Sequence, residues 1–301
     1  MRVAISFDYD SPAGYKESFG PGRDLPCDAD YRGTEALLKV LAKHDVQATF
    51  AIVGCVALDG APPECCPGQI REIHAAGHEV ASHSMYHRFI PPMTDRELAE
   101  DVKLSKMALE ACIGQSIRGF IPPFNRPAHF PRRGAFSFSE VLGLHGRGRG
   151  RQSVNTMLAT LNSHGFGWCR VSFRSTLKSL TEKIIVADRF PPQPFVFENM
   201  VVMPLHATGF GEATLSLLRR YLDSDHVLTV YAHPNKAHDE LDENGVNDER
   251  AEVMDAFLTR LERERALGRV EFCTMAQVEC QVRAISGPLL QDINSRRRRF
   301  R

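Results

Sequence analysis

The stretch Gly77-His78-Glu79-Val80-Ala81-Ser82-His83-Ser84-Met85-Tyr86-His87 decides how the rest of the chain is read. Gly77 follows the helix-like segment Gln69 to Ala76, where a left-handed terminal residue is wanted and glycine adopts it without steric cost. Glu79 to Ser82 reads as a short strand, and two imidazoles, His83 and His87, follow at its carboxyl end. Thr94 and Glu97 then have the spacing of a capping box, Leu98, Val102, Leu109 and Ile113 mark the buried stripe of a helix, and Gly114 ends it.

The same alternation runs outward in both directions. Upstream lie a strand at Val3 to Phe7, a helix at Thr34 to His44 with Leu37, Leu38, Val40 and Leu41 on its apolar side, and a strand at Ala48 to Val53. Downstream, Ile117 to Ile121 is a strand stopped by Pro122 and Pro123. Strands are also expected at Trp168 to Phe173, Met200 to Leu205, Val227 to Ala232 and Val270 to Phe272. Helices are expected near Gln152 to Leu161, Glu212 to Leu222 and Asp248 to Leu267. Between Arg126 and Arg151 the glycine- and arginine-rich run Gly146 to Arg151 cannot bury a core and reads as a loop. About eight apolar strands alternating with helices predict an α/β chain closed as a parallel barrel, with function on the loops at the strand carboxyl ends.

Composition narrows the function classes. The 301 residues balance 37 Lys plus Arg against 37 Asp plus Glu, so no global field draws the chain to nucleic acid or an anionic membrane. No 18-residue apolar run and no signal-peptide pattern are present, and a cytoplasmic location is expected. Eight cysteines without a C-x-x-C pair read as reduced thiols.

Three segments at strand ends carry candidate chemistry. Asp8 and Asp10, two apart, point to one side if the strand runs through them, which sets a metal ligand beside a proton acceptor. His83 and His87 face one another if the chain turns helically after its strand, and with one carboxylate they form a set that leaves coordination positions for water and substrate. Each pair alone is also an ordinary solvated turn or a packed histidine pair, but acids and imidazoles together at two neighbouring strand ends have no packing rationale. His233 ends an apolar strand before Pro234 and suits a general acid, and His206 holds a similar position after Met200 to Leu205.

With these segments, Ala48-Thr49-Phe50, Gly77 to His83 and Phe272-Cys273-Thr274-Met275, the chain resembles the polysaccharide deacetylases of the NodB-homology superfamily over roughly residues 1 to 125 and 225 to 283. The resemblance implies a distorted (β/α) barrel of 7 to 8 parallel strands in a single domain. We assign it residues 1–285 and read 286–301 as a basic, disordered tail. It implies a bound divalent metal, usually Zn²⁺, held by Asp10, His83 and His87, with Asp8 as general base and His233 as the acid that protonates the leaving amine. The Asp-x-Asp spacing and the long loop from Ser11 to Arg32 lie nearest the intracellular peptidoglycan-deacetylase-like and allantoinase-like branch.

The family's Arg-x-Pro-Tyr element is here Ile121-Pro122-Pro123-Phe124, in which the Phe124 N–H still supplies an oxyanion donor while the arginine is missing. Arg118 and Arg126 are the candidate replacements. Trp168, the only tryptophan, lines the pocket or fills the core, and Arg126 and His206 are expected on the substrate side.

The expected activity is removal of an N-acetyl group from an amino sugar or an N-acylated small molecule. One alternative is hydrolysis of another non-peptide C–N bond, in a formamide, cyclic imide or ureide, and a second is a non-catalytic binding barrel. Retention of Asp8, Asp10, His83, His87 and His233 together argues against the second. No nucleic-acid or membrane partner is expected, and self-association is left open.

Overall fold

The structure is a computed structural model that describes residues 1–12, 14, 28–125, 152, 154–171, 193–197, 199–237 and 248–286. Its strands are β1 (Arg2–Tyr9), β2 (Thr49–Ile52), β3 (Glu79–Ser82), β4 (Gly119–Phe120), β5 (Trp168–Val171), β6 (Phe195–Phe197), β7 (Met200–Pro204), β8 (Ala207–Thr208), β9 (Val227–Ala232) and β10 (Glu271–Cys273). The helices are α1 (Ala29–Lys43), α2 (Pro67–Ala75), α3 (Asp95–Ile113), α4 (Val154–Ser163), α5 (Glu212–Arg220) and α6 (Ala251–Ala266), with residues 275–286 also helical.

The strands form one sheet in the order β6-β7-β5-β4-β3-β2-β1-β9-β8, with β10 beside the start of β1. Leu205 and His206 curl it into a barrel. The Leu205 amide bonds back to Val171 of β5, while the His206 amide bonds to Thr229 of β9. One kinked segment, β7 into β8, therefore pairs with β5 before the kink and with β9 after it.

The pairings match the expected distorted parallel barrel, with one departure. β6 runs antiparallel to β7. The chain folds back at Asn199, whose φ of 67° lies in the left-handed region that asparagine tolerates. Phe195-Val196-Phe197 is too short to show a period in the sequence, which hid this strand.

Alternation along each strand sorts the two cores. Val3, Ile5 and Phe7 of β1 join Phe50, Ile52, Val80, Leu228 and Val230 in the layer beneath the helices. The opposite faces fill the barrel interior, with small residues on one wall (Ala4, Ala51, Ala81) and large ones on the other (Trp168, Met203). Gly119 leaves room for the Trp168 indole, because a Cβ there would overlap the ring.

The local signals read from the sequence hold. Thr94 and Glu97 form the reciprocal capping box, and Gly77 and Gly114 adopt φ of 85° and 68°. Helix α1 begins five residues before the expected Thr34, because its first buried residues, Ala29, Asp30 and Gly33, are small or polar and leave no hydrophobic trace.

The seven cysteines among the described residues are free thiols. Among the described residues no helix is long and apolar enough to cross a membrane. The loop expected over 126–151 and the basic tail beyond residue 286 lie outside the described residues, as do residue 13 and residues 15–27 of the long first loop.

Candidate active site

Asp10, His83 and His87 meet at the carboxyl end of β1 and β3, with candidate ligand atoms within 4.8 Å of one another. The imidazole pair is not helical. Ser84 and His87 take left-handed φ of 67° and 55°, and that turn brings the two rings to a centroid distance of 4.9 Å. The turn is pinned from two sides. Met85 N–H donates to Asp101 Oδ1 of α3 at 3.0 Å, and the amides of Gly54 and Cys55 donate to the carbonyls of Ser84 and Met85.

His83 Nδ1 lies 2.7 Å from the Ile121 carbonyl and must donate its proton there, so in the neutral ring Nε2 carries the lone pair. That atom and His87 Nε2 each stand 3.3 Å from Asp10 Oδ1, which is buried and accepts no hydrogen bond. Two acceptors facing at this distance call for a cation or an added proton between them. Two imidazole nitrogens and a carboxylate oxygen are the donor set that Zn²⁺ favours, so the residues fit the metal. Burial resists the charge on Asp10, yet His87, His83 and His233 around it hold its carboxyl well below the usual range.

Asp8, two residues earlier on the interior face of β1, meets Arg170 of β5. The fully buried guanidinium donates through Nη2 to Asp8 Oδ2 and to Asn125 Oδ1 (2.7 Å), and through Nη1 to Ser6 Oγ (2.7 Å). Its Cζ lies 4.7 Å from the centroid of the Tyr231 ring. Asp8 Oδ1 is buried and accepts no hydrogen bond.

Arg170 thus holds the place where an arginine was missing, and it replaces the two expected candidates. Arg118 sits at the other end of the barrel and pairs with Glu279, its Nε 3.0 Å from Oε2; Arg126 lies outside the described residues. A signal for Arg170 existed in the sequence. An arginine in the buried strand Trp168-Cys169-Arg170-Val171 needs an anion on the same face, because burying an unpaired guanidinium is prohibitive.

His233 follows β9, with Nε2 3.9 Å from Asp10 Oδ2. Glu249 holds it from behind, accepting from the His233 amide at 2.7 Å and lying 3.1 Å from Nδ1. Burial opposes the imidazolium, but the hydrogen bond and charge of Glu249, aided by Asp10 and Asp8, push the His233 pKa up to about 9. The same pairing holds Glu249 below its ordinary range against its burial.

Glu249→Gln keeps an acceptor for the His233 amide and removes the charge. With the protonated ring acting as the acid expected from the sequence, the alkaline limb of a pH–rate profile is expected to move down from about 9 toward the unperturbed value of about 6.5. Turnover measured across that range checks it, and an unmoved limb would refute the pairing's role. Glu249 stands at the start of the expected helix Asp248 to Leu267, just before the observed one begins at Ala251, and nothing in the sequence marks its contact with His233.

Phe124 lies in the turn Pro123–Asn125 with φ of 61°, its ring 4.8 Å from that of His87 and 5.5 Å from that of Phe89. Two other expectations are corrected. Trp168 is fully buried at the opposite end of β5 from Val171 and donates its indole N–H to Glu79 Oε1 at 2.9 Å, so it is a core residue with no surface to offer a substrate. His206 is buried at the β7–β8 kink, where its Nδ1 accepts the Thr229 amide at 2.9 Å, which assigns it to barrel closure. Five non-glycine residues with positive φ border the site, namely Ser11, Ser84, His87, Phe124 and Asn125. Such strain persists only where the surroundings over-determine the backbone.

Comparison with known proteins agrees on one family. The polysaccharide deacetylase family model matches residues 2–129. A chitooligosaccharide deacetylase of Sinorhizobium fredii is 36% identical over 92 residues, covering 30% of this chain and 40% of the relative. A peptidoglycan-N-acetylglucosamine deacetylase of Bacillus cereus is 30% identical over 91 residues, covering 30% of this chain and 31% of the relative. The chain therefore spans less than half the length of these relatives. A Mycobacterium smegmatis structure described as a polysaccharide deacetylase shares the fold, with a TM-score of 0.62 at 18% identity over 95% of this chain and 91% of that one.

Proposed function

From the match of residues 2–129 to the polysaccharide deacetylase family model, we propose that the chain is a metal-dependent hydrolase removing an N-acetyl group from an amino sugar or another N-acetylated small molecule. The observation that carries the reading is the pairing of Asp8 with Arg170 on one side of Asp10 and of His233 with Glu249 on the other. A base and an acid, each held by a partner of opposite charge, flank one candidate metal ligand.

Asp10, His83 and His87 would hold the metal, most simply Zn²⁺, which when bound supplies Lewis-acid polarisation of the amide carbonyl and a more acidic water. Asp8, fixed through Oδ2 by Arg170, presents its unpartnered Oδ1 to take a proton from the attacking water. The water oxygen adds to the carbonyl carbon, and the Phe124 N–H is assigned to the oxyanion that forms. His233, kept protonated by Glu249, gives its proton to the nitrogen as the C–N bond breaks. Acetate and a free amine leave.

Arg170 supplies to Asp8 the arginine partner that the Ile121 segment lacks. A binding barrel without chemistry would have no use for either paired group. We include a cytoplasmic location in the proposal, supported by the free thiols, and with it a small or oligomeric substrate in preference to a wall polymer.

The test is acetate release by the zinc-loaded protein from N-acetylglucosamine oligomers and from small N-acetyl amines, with ureides and cyclic imides as the comparison set. Acetate release from the N-acetyl compounds alone is expected. Turnover confined to the comparison set would overturn the reading.

A further inference from the structure

We propose that Asp30 is a positioning residue that ties the backbone leaving the metal ligand Asp10 to the turn leaving the acid His233, an inference that rests on the deacetylase reading above. Asp30 stands in the first turn of α1 and is 5% exposed. Its Oδ2 accepts the amide of Ser11, the residue after Asp10, at 3.0 Å. The amide of Asn235, two residues after His233, is directed to the same carboxyl.

The helix is fitted to this junction. Gly33, one turn beyond Asp30 on the same face, lies so close to the Pro234 carbonyl that a Cβ would overlap its oxygen. The turn Pro234–Ala237 therefore rests directly on the helix surface, with Pro234, Asn235 and Ala237 buried against it. Ser11 needs an external hold because its φ of 66° is a conformation that serine adopts only at a cost. One side chain thus fixes two segments whose relative position sets the 3.9 Å between His233 Nε2 and Asp10 Oδ2.

Asp30 Oδ1 is buried and accepts no hydrogen bond, so Oδ2 is the oxygen that does the tying. This makes asparagine a discriminating replacement, since its amide oxygen takes the place of Oδ2 and only the unused position changes. Asp30→Ala removes the tie altogether. We expect Asp30→Ala to lower both zinc affinity and kcat about 10- to 100-fold, the range seen when a group supporting a ligand is lost, with KM unchanged. Asp30→Asn is expected to stay close to the unmodified protein in both. Should Asp30→Ala not fold, Asp30→Ser, too short to reach both amides, takes its place with the same expected loss.

Zinc affinity is measured by competition with a chelating dye, and kcat and KM by acetate release. Asp30→Ala or Asp30→Ser matching the unmodified protein, or Asp30→Asn falling as far as Asp30→Ala, overturns the proposal. If the unmodified protein releases no acetate, the deacetylase reading fails while the zinc series still decides the role of Asp30.

Discussion

Asp8→Asn is expected to lower N-acetyl hydrolysis about 10²- to 10⁴-fold, the contribution typical of a positioned general base, while zinc affinity stays near that of the unmodified protein. The substitution is nearly isosteric. Its amide oxygen still accepts from Arg170, so the hydrogen bonds of Arg170 to Ser6 and Asn125 are undisturbed. What disappears is the anionic Oδ1, the atom that accepts no hydrogen bond from the protein. Metal content after gel filtration, measured beside kcat, separates two outcomes. Turnover lost with metal retained assigns the base to Asp8, whereas metal lost would mean that the two aspartates have exchanged roles.

His87→Ala is expected to act on the metal itself. It removes one of only two nitrogen donors in the cluster and leaves Asp10 and His83 to hold the ion. Loss of a direct ligand exceeds loss of a supporting partner, so zinc affinity is expected to fall by more than about 100-fold and hydrolysis with it. The ring also packs on Phe124 and anchors a left-handed turn, so the cavity left behind loosens the Pro123–Asn125 turn as well. Metal content after dialysis and acetate release at saturating zinc check it. A variant that keeps zinc and turns over normally refutes the ligand set.

What the sequence made legible, and what it hid, follows from how far apart the interacting residues lie. The run from Gly77 to Gly114 declares itself because each signal is local: a glycine at a left-handed cap, threonine and glutamate three apart, an apolar stripe of helical period. Asp10, His83 and His87 were identifiable because they sit where two such units end. Arg170 is hard to read as a site residue because its partner Asp8 is 162 residues away, across the barrel, and nothing in Trp168-Cys169-Arg170-Val171 names that partner. Glu249 and Asp30 are harder still, since a charged residue near a loop is ordinary until the fold brings it against His233 or Ser11. Trp168 shows the reverse case. It is the only tryptophan, yet it belongs to the interior core with Ala4, Ala51, Ala81 and Met203, lies against Gly119 and bonds Glu79.

The three candidate ligand groups all come from residues 10 to 87, within the segment that matches the family model, whereas Arg170, His233 and Glu249, to which the proposal gives control of the two protons, come from beyond it. During synthesis the nascent chain holds the three candidate ligands and Asp8 before it holds Arg170, His233 and Glu249. Substitutions beyond residue 129 can therefore alter both paired groups without touching any of the three candidate ligands.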